Sequence, residues 1–227
     1  MTPYNLGRRT LAEFLGTLFL LSAVIGSGIM AERLAGGNAA IALLCNTVAT
    51  GAILIVLIQL FGPISGAHFN PAVTLMFAAK GQTRRGEALA YIPAQIIGAV
   101  LGAWLAHLMF AMPLFEVSAK MRDGVGQYVS EFVATFGLVA TILGVGRFRA
   151  DTVPVAVGLY ITAAYWFTAS TSFANPAVTL ARSLTNSFSG IAPSSVPGFI
   201  IAQALGAAAA AFLFGWLLGV REPSRSS

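Results

Sequence analysis

Residues Thr171 to Arg182 read TSFANPAVTLAR, and the hexapeptide inside them, NPAVTL, has an earlier copy at Asn70 to Leu75 in GAHFNPAVTLMF. The two asparagines stand 105 positions apart in a chain of 227 residues. Each copy sets a polar Asn and a helix-breaking Pro at the head of a run of about ten mostly apolar residues. Such a run is too short to cross a hydrocarbon core roughly 30 Å thick but long enough to reach half way. Both are expected to be half-helices. Pro71 and Pro176 take the first helical position, where no N–H is needed. Asn70 and Asn175 become N-caps whose side-chain oxygens accept from first-turn amides, leaving their NH2 groups free to face a lumen. The segments ahead of them, GPISGAH and TASTS, are rich in small, Gly, Pro and Ser/Thr residues and suit an extended approach. Unpaired backbone at membrane depth survives only where protein buries it or water lines it, so this approach implies an aqueous lumen.

The rest of the chain supplies the membrane. It is 57% hydrophobic with 9% charged residues and 24 glycines, a balance that a soluble domain of this length could not keep in solution. Six apolar runs are long enough to span: Leu11 to Met30, Asn38 to Phe61, Ala88 to Met112, Gln127 to Gly146, Val153 to Thr168 and Val196 to Val220. The first lacks the short core and small-residue cleavage site of a signal peptide and is expected to stay in the membrane. The net charge is +5, and its distribution sets orientation. Arg8, Arg9, Lys80, Arg84, Arg85, Arg147, Arg149, Arg221 and Arg225 fall on one side, against Arg33, Lys120, Arg122 and Arg182 on the other. Both termini are therefore expected in the cytoplasm. No loop is long enough to build a basic patch with aromatic platforms, so nucleic acid is not an expected partner.

The halves repeat. LAEFLGTLFLLSAVIGSG aligns with VSEFVATFGLVATILGVG, setting Glu13 against Glu131, and AQIIGAVLGA aligns with AQALGAAAAA, setting Gln95 against Gln203. With NPAVTL between them, three landmarks recur in one order. Each unit holds three full spans, so the second enters the membrane from the opposite face: an inverted repeat, approximately 8–112 and 126–220, within a single channel domain. The two half-helices then point their N-termini at one spot from opposite sides, with small Ala72 and Ala177 letting the tips approach. Each tip places about half a positive charge there, which repels cations and protons while neutral hydroxylated molecules can exchange hydrogen bonds with Asn70 and Asn175.

These residues carry a resemblance. The paired NPA motifs, the EF of the first and fourth spans, the AQ and GA of the third and sixth, and the phrase SGAHFNPAVTL resemble the aquaporin and aquaglyceroporin family over roughly residues 9–220. The resemblance implies an all-α membrane protein of six transmembrane helices plus two re-entrant half-helices, one pore per subunit in a homotetramer, and passive conduction with no cofactor. It implies a multi-pass protein of the bacterial-type inner (plasma) membrane. It also implies a filter of four positions, found by spacing from the motifs at Thr50, Ala163, Ser172 and Val178. Water-selective members carry an aromatic, His and Arg at the first, second and fourth of these, and this chain has none of them. Glycerol-type members also keep the Arg, usually followed by Asp, where this chain has Val178 and Thr179. Its guanidinium binds solute and its charge repels cations, and Val178 supplies neither. The filter is expected to be wide and weakly polar. The resemblance is closest to bacterial members that lack the filter Arg and are associated with arsenic detoxification. It makes trivalent arsenic hydroxide the leading permeant, with methylated arsenicals, antimony hydroxide, glycerol, urea and water as companions.

Other polar residues fit around this frame. Glu13 and Glu131 lie inside spans, and the resemblance assigns them to holding the re-entrant loops; a proton relay in a coupled secondary transporter is the rival. Gly66, Ala67, His68 and Phe69 are expected along the pore or its vestibule. Arg182, one turn beyond Val178, is expected as a solvated vestibule or snorkelling residue, with reach to the filter as the alternative. Gln95 and Gln203 are expected to satisfy core backbone, His107 to sit at the interface, and Trp104, Trp166 and Trp216 to anchor span ends. Cys45 is expected to be a core thiol. Neither a zinc site nor a nucleophile and base pair can be assembled, so an enzyme is not expected.

Overall fold

The computed structural model describes residues 3–219. Eight α-helices follow in order: α1 Leu6–Leu34, α2 Ala39–Ser65, α3 Pro71–Ala79, α4 Arg85–Met109, α5 Val125–Phe148, α6 Val153–Phe167, α7 Pro176–Arg182 and α8 Val196–Leu217. They cover the six expected spans, with α3 and α7 as the two short helices headed by Asn-Pro-Ala. Val220, Arg221 and Arg225 lie outside the described residues.

Five of the long helices, α1, α2, α4, α5 and α8, are long and apolar enough to cross a membrane. The fifth expected span becomes α6, whose 15 residues rise only about 22 Å. A turn of 3-10 helix at Ala150–Thr152 extends it at its start, and Thr168 leaves the helix in an extended conformation to begin the approach to Asn175. We call the end of the bundle that carries the start of α1 the inner end.

The polarity pattern is that of a membrane protein built around a polar interior. Leu44, Val48, Val56 and Leu60 of α2 and Leu159, Trp166 and Phe167 of α6 face outward, while Glu13, Asn46, Thr50, Gln95, Glu131 and Gln203 are buried. Without a hydrophobic drive between helices in lipid, close packing and internal hydrogen bonds must hold the bundle. The pairs α1 with α4 and α5 with α8 make the most extensive contacts, one pair in each half. Both crossings are glycine-lined: a Cβ on Gly98 would stand 2.4 Å from the Phe14 carbonyl oxygen, and one on Gly206 2.3 Å from that of Phe132. The halves meet where α2 crosses α6, and there a Cβ on Gly158 would stand 2.7 Å from the Gly51 carbonyl oxygen. An alanine at any of these positions would push helices apart.

Several residues sit otherwise than their composition suggested. Cys45 is exposed on the outward face of α2, not in the core. His107 is fully buried instead of interfacial: its Nδ1 lies 2.7 Å from the Pro113 carbonyl oxygen and its Nε2 2.8 Å from Thr185 Oγ1. A carbonyl only accepts, so Nδ1 carries the proton, and the ring clasps α4 to the chain beyond α7. Trp166 and Trp216 are exposed as anchors should be, whereas Trp104 packs edge-on against Phe115.

Candidate functional site

The short helices begin as their caps dictate. Asn70 Oδ1 accepts from the Ala72 amide at 2.9 Å, and Asn175 Oδ1 from the Ala177 and Val178 amides at 2.9 and 3.3 Å. With Pro176 next in line, the first-turn donors of α7 are accounted for, and in α3 Pro71 has no N–H to satisfy and Asn70 takes the Ala72 amide. The two half-helices touch at their N-termini.

The asparagine NH2 groups are not wholly free. Asn70 Nδ2 donates to the Ala174 carbonyl at 2.7 Å and Asn175 Nδ2 donates to the Phe69 carbonyl at 2.8 Å. Each repeat thus uses one of its two amide hydrogens to tie down the other repeat's loop. An NH2 group has two hydrogens, and both asparagines line the central cavity, so one N–H on each remains to meet a solute.

Both loops are bent to reach this centre. Ala67 and Phe69 in one, and Ser172 and Ala174 in the other, take positive φ near 50°, at positions related by the 105-residue offset of the repeat. Left-handed conformations in residues with a Cβ cost of order 1–3 kcal/mol each and persist only where the surroundings impose them. Two carboxylates do so. Glu13 Oε1 accepts from Ser65 Oγ at 2.6 Å and the His68 amide at 3.0 Å, and its Oε2 from the Phe69 amide at 2.7 Å and Gln95 Nε2 at 2.8 Å. Glu131 accepts from the Phe173 and Ala174 amides, both at 2.9 Å, and from Gln203 Nε2 at 2.6 Å. Gln95 and Gln203 therefore orient a carboxylate and bridge it to Thr74 or Thr179 on the half-helix, a more specific task than satisfying core backbone.

Between the halves lies a cavity of about 860 Å³. Gly66, Ala67, His68, Phe69, Asn70 and Asn175 line its middle and inner part, with Lys80, Arg147 and Asp151 at the inner mouth. Toward the outer end the wall carries Thr50, Ser172, Phe173, Val178 and Arg182. Pro71, Ala72, Pro176 and Ala177 shape the half-helix tips without lining the cavity.

Ala163 does not line it. It is exposed on the outside of α6, and the wall is made instead by Ile161 and Tyr165. Two residues along a helix turn about 200°, so counting to 163 lands on the face opposite Tyr165. The Tyr165 hydroxyl stands 3.3 Å from Thr50 Oγ1, so the cavity wall beside Thr50 contains an aromatic, one that spacing from the motifs missed.

Arg182 is also not where a solvated or snorkelling residue would be. It is 2% exposed, its Nε donates to the Ser189 carbonyl, and its guanidinium carbon lies 3.4 Å from the Phe173 ring centre. Arg122 lies over the same ring at 5.1 Å and donates to the Gly190 and Ser170 carbonyls. In the same outer loop burial lowers the Lys120 pKa, and neighbouring Arg122 adds to the effect. The two guanidiniums at Phe173 place positive charge at the outer end around the second half-helix.

The comparisons agree with this architecture. The family model described as "Major intrinsic protein" matches residues 1–169. The chain is 58% identical over 223 residues to "Aquaglyceroporin AqpS" of Rhizobium meliloti (strain 1021), covering 98% of this chain and 95% of that one. It is 30% identical to "Aquaporin Z" of Bradyrhizobium diazoefficiens, with 91% of each chain covered. Among solved structures, the aquaglyceroporin from Plasmodium falciparum superposes with a TM-score of 0.77 at 20% identity, covering 94% of this chain and 97% of that one.

Proposed function

Because the chain belongs to the major intrinsic protein family and is a membrane channel rather than an enzyme, we propose that it conducts small uncharged hydroxylated solutes passively. Glycerol, water and the neutral hydroxides of trivalent arsenic and antimony are the solutes, with methylated arsenicals and urea as further ones. The observation that carries this reading is Val178 on the cavity wall beside Thr50 and Ser172. A short aliphatic side chain there leaves room that a long polar one would fill. A polyol or a trihydroxide presents hydroxyls on one side and a less hydrated body on the other, which suits a wall of Val178 and Phe173 facing Thr50, Ser172 and Tyr165.

Passive conduction fits the arrangement of charge. Glu13 and Glu131 accept three or four hydrogen bonds each and face loop amides, so neither is free to relay protons. Two half-helix N-termini converge near Asn70 and Asn175, where a proton or cation meets positive potential. One transmembrane domain formed by both repeats would enclose the pore, and four such subunits would assemble as a homotetramer. Both termini would face the cytoplasm of a bacterial-type inner membrane. With Arg182 buried and Arg221 and Arg225 set aside, seven basic residues at the inner end still outnumber three at the outer.

Uptake into proteoliposomes tests the reading. The parent is expected to admit glycerol and arsenite without a proton gradient and with no response to a protonophore. A pore that passes water but excludes both solutes would be a water channel. Val178→Arg is expected to lower glycerol and arsenite permeability about tenfold, roughly 1.4 kcal/mol, and water permeability by less. Equal loss for all three would separate Val178 from the choice among solutes.

A further inference from the structure

The loss of arginine at position 178 leaves a question of electrostatics: what keeps cations out of the outer part of the pore? On an α-helix each side chain leans toward the N-terminus, so a long side chain covers the surface one turn before its own Cα. Arg182 stands one turn after Val178 on α7. Its side chain therefore folds back toward the level of Val178, and it does so: it lines the cavity, bonds the Ser189 carbonyl and lies on Phe173, two residues ahead of Asn175.

We propose that Arg182 is the channel's filter arginine in a displaced position, supplying from one turn further along α7 the fixed positive charge and the solute-facing guanidinium that Val178 lacks. The inference rests on the channel reading above. Three observations support it. No carboxylate among the described residues pairs with Arg182, so its charge is not cancelled locally; Glu131, the nearby acid, spends both oxygens on loop amides and Gln203. The guanidinium is held by a carbonyl and a ring face, partners that fix its position while leaving it cationic. On the wall of the same cavity, the Ser172 hydroxyl, next in the chain to the ring that Arg182 covers, is buried with no hydrogen-bond partner. A buried hydroxyl left unpaired costs free energy unless something in the cavity satisfies it, and a permeating hydroxyl can bond it as well as the guanidinium. The positions thus form a subsite for oxygen-rich neutral solutes that repels cations. Relative to an arginine at 178, the charge is set against the wall under Phe173, so the lumen keeps the room that Val178 provides.

Potassium leak and glycerol uptake measured on the same proteoliposomes test the proposal. The parent is expected to hold a potassium gradient, read with a voltage-sensitive dye, while passing glycerol. Arg182→Gln is expected to raise potassium leak about tenfold or more and to change the glycerol rate, while osmotic water flow followed by light scattering shows that the pore is formed. Arg182→Lys keeps the charge and is expected to hold the gradient. Adding Val178→Arg to Arg182→Gln is expected to restore exclusion from the other position. A leaking parent, a leaking Arg182→Lys variant or a tight Arg182→Gln variant would each overturn the assignment. A parent that passes no glycerol would strike the permeant reading instead, so the two failures are distinguishable.

Discussion

The two re-entrant loops share one plan and differ in one exchange of chemistry. In the inner loop His68 stacks on Phe77 of α3, ring centres 4.8 Å apart and planes 15° from parallel. In the outer loop the corresponding positions, 105 residues on, are Phe173 and Arg182, with the guanidinium 3.4 Å from the ring centre. Each loop packs a flat nitrogen-bearing group against an aromatic ring, but the two partners have traded places. Inside, the nitrogen group is a histidine on the loop, bonded through Nδ1 to Thr74 Oγ1 at 3.1 Å; outside, it is a permanently charged arginine on the half-helix. The repeat fixes geometry at both ends. The exchanged pair makes the ends electrostatically unlike.

The carboxylates that hold the loops give the largest test of this comparison. Glu13→Ala removes the acceptor of four donors and Glu131→Ala that of three. Each is expected to cost about 3–5 kcal/mol, as for a buried ion deleted from its hydrogen-bond set, with Glu13 the costlier. Thermal unfolding midpoints in detergent check the order, and a larger loss at Glu131 would show that the outer loop leans harder on its carboxylate. Next in size is the clasp at the outer end. His107→Ala removes the ring from the Pro113 carbonyl and leaves the Thr185 hydroxyl with Ser187 alone, and is expected to lower stability by about 1–3 kcal/mol while the ratio of glycerol to water permeability holds. A changed ratio would mean that the clasp also sets the filter. The smallest effect is expected from copying the outer arrangement inside. His68→Phe with Phe77→Arg is expected to slow glycerol about fivefold, near 1 kcal/mol, by setting a long, solute-binding side chain on the inner wall of the lumen. Unchanged flux would show that the inner mouth is too wide for the exchange to matter.

Much of the site could be read before any coordinates. Asn70, Pro71, Asn175 and Pro176 announce half-helix starts because capping is a contest among neighbouring groups in the chain. Glu13 and Glu131 stood out because a carboxylate amid apolar residues must find partners. Less legible were the partners themselves. The NH2 groups expected to be free each spend one hydrogen on the opposite loop, a contact between segments 105 residues apart. Tyr165 was hidden because counting from a motif through an irregular segment loses helical phase, and an error of two residues exchanges lipid for lumen.

The sequence by itself determined the number of spans, the duplicated unit, its inversion and the paired N-caps at the centre, since length, apolarity, parity and capping are local properties of the chain. Only the tertiary structure decided which face of α6 meets the pore, that Cys45 looks outward, that His107 is buried, and that Arg182 folds back over Phe173. Those outcomes depend on the rotation of each helix and the direction of each long side chain. Both are settled by what packs against them, from segments that the linear order keeps far apart.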